Sequence, residues 1–255
     1  MAGNFFINIP YRKVRQNFKR VLSLGIGMEI YLENHLLEEL VASEVRELRS
    51  NIEGNGLECT VHAPFMDLSP GGYDREVRRI TREKLKKTVE IAALLRAKAV
   101  VCHPGYDKWR FNRNDKLWLD RSIETWTEVL REAEGGLMVL VENIFEEQPS
   151  TLIELFDHFR EENLWFCFDS GHFNLFSTVS LDGWLTPLKG HIREMHLHDN
   201  HGGWDEHLPV GAGTFPFREL KAFLRGWSSD IMFTSEVHGE DRAEEGIKKL
   251  KEFLS

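Results

Sequence analysis

Three observations predict an α/β fold made of a single closed (β/α)₈ TIM barrel with eight parallel strands. Short strand-like runs alternate with amphipathic helical segments along the chain, as is typical of parallel strands joined by crossover helices. Eight such units fill 255 residues, close to the roughly 250 residues of such a barrel. No Gly-x-Gly-x-x-Gly turn follows the first strand, which weakens the dinucleotide-binding alternative. We therefore expect one domain spanning residues 1–255.

The strands are predicted from short apolar runs of strand length. The eight runs are Phe5–Ile9, Ile26–Tyr31, Leu57–His62, Ala99–His103, Leu137–Glu142, Leu164–Asp169, Ile192–His198 and Ile231–Glu236.

The helices are predicted from apolar residues spaced three to five positions apart. The third helix shows this most clearly, because Val77, Ile80 and Leu85 share one side while Arg78 and Arg82 lie on the other. We expect that basic side to be solvated. The predicted helices are Lys13–Ser23, His35–Ser50, Asp74–Leu95, Lys116–Glu134, Ser150–Glu161, Leu181–Lys189, Phe217–Gly226 and Asp241–Phe253.

Composition argues against several classes of partner. The formal net charge is −9, so nucleic acid is disfavoured although not excluded, since three bound divalent cations would bring the charge to about −3. No apolar run approaches the ~20 residues of a membrane span, and Met1 to Pro10 lacks a leader pattern. We expect a cytoplasmic protein without a membrane partner. Its three dispersed cysteines indicate buried thiols. Nothing in the sequence specifies an oligomeric state.

Potential metal ligands follow six successive strands. The carboxyl ends of barrel strands and their loops form one rim, where active sites lie. The segment His196–Gly213 is the richest in such residues. Five imidazoles and four carboxylates exceed what one ion needs, whereas three ions with bridging carboxylates would use all of them. Clustered divalent ions favour phosphoester hydrolysis. The nine residues are His62, His103, Glu142, Asp169, His172, His196, Asp205, His207 and Glu236.

Seven short segments resemble the motifs of a known superfamily. They are similar to motifs of the xylose isomerase-like TIM barrels, specifically the endonuclease IV-like branch (AP endonuclease family 2). The segments are VHAPF, VCHPG, VENI, FDSGH, HLHDN, DEH and SEV. The resemblance implies that the nine residues bind up to three divalent ions, zinc, manganese or iron. It also implies catalytic roles for Glu142 and Glu236 and a phosphodiester substrate. The net charge of −9 and the short first two βα loops depart from the DNA-repair enzymes of this branch and favour a substrate other than bulk duplex DNA.

The same resemblance supports other functions. Sugar and sugar-phosphate isomerases and epimerases of the superfamily use one metal ion, which here would bind Glu142, Asp169, His196 and Glu236. An AP endonuclease and a corrinoid-remodelling phosphodiesterase are further alternatives, and a non-catalytic metal-binding or ligand-binding barrel is a third class. We favour the hydrolase because only a trinuclear site needs all nine residues.

The substrate is expected to be a small-molecule phosphoester or sugar phosphate. The loop GYDKWRFNRND after the fourth strand offers Lys108, Trp109 and Arg110 for phosphate binding and ring stacking; a surface loop that covers helix ends explains it equally well. His198 is predicted either to contact substrate or, like Asn143, to orient a ligand. Asn8, Glu29 and Trp204 are candidates to reach the pocket.

Overall fold

The barrel predicted from the sequence is present in the computed structural model, which describes residues 4–133, 135–225, 227, 230–239 and 242–255. Eight parallel strands pair in chain order and close between the first and the last. All eight predicted strands are confirmed within two residues at each end. They are Phe5–Pro10 (β1), Gly27–Tyr31 (β2), Cys59–His62 (β3), Ala99–Cys102 (β4), Met138–Glu142 (β5), Leu164–Asp169 (β6), Ile192–Leu197 (β7) and Met232–Ser235 (β8).

Helices surround the barrel, and each predicted helix has a counterpart. The predicted ends at Glu134 and Gly226, and the predicted start at Asp241, lie outside the described residues. The observed helices are Tyr11–Leu24 (α1), Leu36–Glu39 (α2), Ala42–Gly54 (α3), Arg75–Leu95 (α4), Asp115–Leu130 (α5), Ser150–His158 (α6), Ser170–Phe176 (α7), Leu181–Leu188 (α8), Phe217–Leu224 (α9) and Ala243–Leu254 (α10).

Two features differ from the sequence prediction. The predicted helix His35–Ser50 is divided into α2 and α3, because Leu40 and Val41 have extended backbones; the break lets leucines on both sides of it be buried.

The short α7 was not predicted. It begins directly after β6, where the carboxylate of Asp169 accepts a hydrogen bond from the amide of His172 at 2.6 Å, as an N-cap residue does.

The interior of the barrel changes from apolar to polar along the strands. Side chains two positions apart on a strand share a face, so Phe6 and Leu140 pack in the apolar interior cluster while Asn8 and Glu142 follow them on the same face. Cys167 and Asp169 repeat this order on β6. The barrel interior is therefore apolar toward the amino ends of the strands and polar at their carboxyl ends.

The outward strand faces pack against the helices in one large hydrophobic cluster. Outside it, the basic side of α4 is paired with acidic residues: Lys86 contacts Glu132 at 2.7 Å and Arg79 contacts Glu83 at 2.7 Å. This agrees with the expected solvated surface. None of the helices in the described part of the chain combines the length and apolarity that crossing a membrane requires.

Gly27 gives a test of the barrel packing. A Cβ atom at this position would lie 2.4 Å from the ring of Phe6 and 2.9 Å from the carbonyl oxygen of Glu58. We expect Gly27→Ala to lower the free energy of unfolding by about 1–3 kcal/mol, as overpacked cores do, measured by urea denaturation.

The matched control is Gly54→Ala at the end of α3, where a Cβ would meet no atom within 4 Å. Alanine has the better helix propensity, so this variant should be unchanged or more stable by up to about 1 kcal/mol. Equal stability of the two variants would contradict the packing argument.

Candidate metal centre

Glu142, at the end of β5, is the centre of a cluster of imidazoles. Its Oε2 atom lies 3.3 Å from Nε2 of His62, 3.5 Å from Nε2 of His103 and 3.3 Å from Nδ1 of His196. Its Oε1 atom lies 3.0 Å from Nδ1 of His172. Four different strands and their loops therefore direct histidines at one carboxylate that is itself fully buried.

The remaining predicted ligands join this cluster. Asp205 lies 2.9 Å from Nε2 of His207 and 3.6 Å from Nε2 of His172. Oε1 of Glu236 is 3.3 Å and Oδ2 of Asp169 is 4.0 Å from Nδ1 of His196. The structure thus brings all nine predicted ligands together at the carboxyl ends of the strands.

Hydrogen bonds to the backbone fix the tautomer of three of these histidines. Nδ1 contacts a carbonyl oxygen in His62 (Ala63, 2.8 Å), in His172 (Asn143, 3.0 Å) and in His207 (Glu236, 2.7 Å). A carbonyl can only accept, so Nδ1 carries a hydrogen in each ring, and Nε2 has a free lone pair when the ring is neutral. In this form an imidazole can coordinate a metal ion.

Local sequence positions the ligands after β6. Asn143 exchanges two hydrogen bonds with the backbone of Asp169, at 2.8 and 3.0 Å, which fixes the end of that strand. Gly171 is required beside it, because a Cβ there would lie 2.0 Å from the ring of His198. The helix α7 then turns His172 back toward Glu142.

The loop after β7 returns Asp205 and His207 to the site. Asp199 joins the two ends of this loop, since its side chain accepts hydrogen bonds from the amides of Gly213 at 2.7 Å and Phe215 at 3.0 Å. His207 has a φ of 49°, a left-handed conformation that is uncommon outside glycine. The loop therefore accepts backbone strain in order to place this imidazole.

Two buried carboxylates lie below the cluster: Glu29, which was predicted to reach the pocket, and Glu194, for which no role was predicted. Glu29 accepts a hydrogen bond from Nε2 of His196 at 3.1 Å and another from Asn8 at 2.9 Å. Glu194 is also fully buried, accepts from Thr234 at 2.5 Å, and has a pKa raised to about 8 by burial and by the charge of Glu29. The sequence did contain a signal, because Glu194 lies two positions before His196 and so shares its strand face.

The cluster has the composition of a metal site. Within the described part of the chain, His196 Nδ1 and Asp205 Oδ1 are buried without a hydrogen-bond partner, a costly state that a bound cation would relieve. Burial opposes charging His62, yet the hydrogen bond and charge of Glu142 raise its pKa to about 9, as the electrostatics of an anionic cluster require. Three groups of donor atoms lie within 4.8 Å of one another: His62, His103, Glu142; His62, His196, Glu236; and His198, Asp205, His207. Mixed imidazole and carboxylate donors suit zinc, manganese or iron.

A cavity of about 630 Å³ opens above the cluster. Asn8 and Trp204, both predicted to reach the pocket, line it together with seven of the nine ligands. Phe65 and His238 also line it, although no role was predicted for either from the sequence.

Three of the residues predicted to bind substrate, Lys108, Trp109 and Arg110, are not among the residues that line this cavity, whereas the fourth, His198, lies within the ligand cluster. Lys108 is paired with Glu147 beside a separate cavity of about 130 Å³. Trp109 and Arg110 are exposed on the same loop. His198 is fully buried and contacts Asp169 through Nε2 at 3.0 Å, which suits a residue that orients a ligand. Substrate contact by these four residues stays a prediction.

The sequence of the chain matches a family model over residues 18–254, described as xylose isomerase-like TIM barrel. The chain belongs to the xylose isomerase-like TIM-barrel family. The geometry above is therefore that of a family member, and the resemblance noted in the sequence motifs is confirmed.

Members of this family similar to the chain have different names. A Mycobacterium marinum protein named "Probable endonuclease 4" is 26% identical, covering 89% of this chain and 88% of that protein. The TTHB071 protein from Thermus thermophilus, solved after soaking with ZnCl2, has a TM-score of 0.83 and 28% identity over 98% of this chain and 97% of that one. A D-tagatose 3-epimerase-like protein has a TM-score of 0.85 and 27% identity with the same coverage.

Glu29 offers a test of how the cluster is oriented. Because its carboxylate holds Nε2–H of His196 and so directs Nδ1 at Glu142 and Glu236, Glu29→Gln should weaken metal binding by about 10–100-fold, the usual effect of losing a partner behind a ligand. Affinity is measured by competition with a chromophoric chelator. Glu33→Gln, at a partly exposed residue two positions after β2, is the control, and equal affinities for both variants would contradict this role.

Glu146 gives a pH-dependent prediction. It is 2% exposed, and burial raises its pKa to about 7 from 4.5. The folded state therefore retains a proton that the unfolded state loses, so stability falls as pH rises from about 4.5 to 7. Glu146→Gln should remove this loss and be more stable than the parent by about 1–3 kcal/mol at pH 7.5, with no advantage at pH 4.5.

The measurement is urea denaturation of metal-free protein at both pH values. The Glu146→Gln variant keeps an oxygen that can accept from the amide of Ile144, as Glu146 does at 2.8 Å. The exposed Glu154→Gln variant on α6 is the control. A stability difference that is the same at both pH values would show that Glu146 is not the titrating group.

Proposed function

We propose that this chain is a divalent-metal-dependent phosphoester hydrolase, specifically a phosphodiesterase, with up to three ions of zinc, manganese or iron. One observation carries the proposal: the cluster contains five more potential metal ligands than a one-metal epimerase needs. In three of them a backbone hydrogen bond at Nδ1 leaves Nε2 to face the cluster. One ion, with its about four to six ligands, could not bind all of these donors in addition to the four of the epimerase set. The additional donors are His62, His103, His172, Asp205 and His207.

The residues form three ligand groups that share carboxylates. His62 and His103 would bind one ion with Glu142; His172 and His207 would bind another with Asp205. The third ion would lie between Glu142, Asp169, His196 and Glu236. Glu142 contacts one or more histidines of each group: His62 and His103 of the first, His172 of the second and His196 of the third. It would therefore be the carboxylate best placed to be shared between ions.

The catalytic carboxylates are Glu142 and Glu236. Divalent ions held here would supply hydroxide from water, neutralise phosphate oxygens and stabilise the leaving oxygen. Asn8 orients Glu236 by donating to its Oε1 atom at 3.1 Å. Burial raises the pKa of Glu236, although His196 opposes this; a divalent ion bound here would keep the carboxyl group ionised.

The relatives support this proposal in part. The name of the M. marinum protein points to phosphodiester hydrolysis, and the ZnCl2 soak of TTHB071 is in keeping with a zinc site. A substrate other than bulk duplex DNA is supported by the net charge of −9 and by the pairing of the basic residues of α4 with glutamates.

A sugar or sugar-phosphate epimerase is the second candidate. Similarity to a D-tagatose 3-epimerase-like protein favours it, as does the position of Glu142 and Glu236, each 3.3 Å from Nδ1 of His196. In that reaction the two glutamates would move a proton at the carbon next to a carbonyl group.

Metal stoichiometry and hydrolysis distinguish the two candidates. We expect elemental analysis after incubation with zinc or manganese to give about three ions per chain, and bis(p-nitrophenyl) phosphate to be hydrolysed. His103→Ala and Asp205→Ala should each lower kcat/KM by more than about 100-fold, since losing even a partner behind a ligand costs about 10–100-fold.

His201→Ala is the matched control, because His201 lies in the same loop as His207 but is exposed and pairs with Glu206 at 2.8 Å. It should keep full activity. Three results together would favour the epimerase over the hydrolase. They are saturation at one ion per chain, hydrolytic activity retained in both ligand variants, and solvent deuterium entering a sugar substrate.

A further inference from the structure

The cavity above the ligand cluster has an apolar outer wall. Met66, Phe145 and Trp204 are 64%, 42% and 77% exposed, although such side chains are normally withdrawn from water. They come from the loops after β3, β5 and β7, which are far apart in sequence but meet around one opening. Contiguous exposed apolar surface of this kind marks a binding site.

Ring contacts hold two parts of this wall in place. Phe65, beside Met66, stacks on His103 with ring centroids 4.5 Å apart. On the opposite loops Phe145 packs edge-on against Phe176 at 5.0 Å. Rigid aromatic walls of this kind bind flat groups well, since little side-chain freedom is lost on binding.

Cationic side chains are absent from the same cavity. Within the described part of the chain, its lining includes no lysine or arginine, and Lys108 is paired with Glu147 beside a separate cavity. Positive charge for a phosphate group in this cavity would therefore come from the metal ions and from protonated histidines. A polyanion would find no further partners, because its binding depends on lysine and arginine contacts along the backbone.

We propose, on the basis of the hydrolase function above, that the substrate is a small phosphodiester with one phosphate group and an uncharged aromatic or heteroaromatic ring. The phosphate lies over the ligand cluster and the ring lies between the Phe65–Met66 wall and the Phe145–Trp204 wall. A cavity of about 630 Å³ is of the size that binds small molecules.

The test compares two substrates with the same leaving group. Bis(p-nitrophenyl) phosphate carries a second aromatic ring, whereas ethyl p-nitrophenyl phosphate carries an aliphatic group. For the parent protein we expect a KM about 10-fold lower for the first substrate, the size of effect that ring stacking gives. Trp204→Ala should abolish this difference in KM, and Trp204→Phe should restore part of it.

Tyr73→Ala is the matched control, because Tyr73 is 74% exposed but does not line the cavity. It should behave as the parent protein does. If Trp109→Ala, and not Trp204→Ala, abolishes the preference, the loop after β4 binds the ring and the inference is wrong. A lower KM for an oligonucleotide than for either aryl ester would also overturn it.

A binding measurement separates this inference from the proposed function. Quenching of tryptophan fluorescence by p-nitrophenyl phosphate, relative to inorganic phosphate, should be reduced in Trp204→Ala but not in Tyr73→Ala. Quenching without hydrolysis of any phosphodiester would support the aromatic site and remove the hydrolase. Hydrolysis without either quenching or a KM difference would leave the hydrolase and remove the aromatic site.

Discussion

The contact between the buried carboxylate of Glu142 and four imidazoles is the interaction on which the rest of the site depends. A charge without exposure to water is stable only when partners compensate it, and the lowered pKa of Glu142, despite burial, reflects His196 and His103 above all. The barrel supplies these partners from separate strands. Closing the sheet therefore assembles the candidate metal centre, and no loop rearrangement is needed to bring the central ligands together.

Orientation of the rings comes from the scaffold below and beside them. Backbone carbonyls hold His62, His172 and His207 through Nδ1, and the buried carboxylate of Glu29 holds His196 through Nε2. Each ring thus has one nitrogen committed to the protein and one directed at the cluster. Preorganisation of this kind lowers the entropic cost of binding an ion and explains why polar residues occupy the upper layer of the barrel.

The strand ends could be predicted from sequence because the signal there is local. A run of apolar residues ending in His or Glu locates both the strand and its rim residue, so His62 and Glu142 were found together with their strands. Trp204 in the cavity wall was predicted to reach the pocket, but Met66 and Phe145 were not, since these loops meet around one opening only in the closed barrel. The pairing of Lys108 with Glu147, 39 residues away, could not be predicted from the sequence of its loop either.

Membership of the family leaves the chemistry open, because one barrel supports both hydrolysis and isomerisation. What distinguishes them is the number of donors that converge on the rim and the character of the wall around it. Donors beyond a one-ion set favour phosphoester chemistry, because three cations can meet the charge of a phosphate group in a cavity whose lining, in the described part of the chain, includes no arginine or lysine. Because the described lining has no such cation, the anionic group of the substrate is expected to lie at the ligand cluster itself. A substrate with its anionic group at the centre and an uncharged ring outside satisfies both constraints, whereas a nucleic acid backbone satisfies only the first.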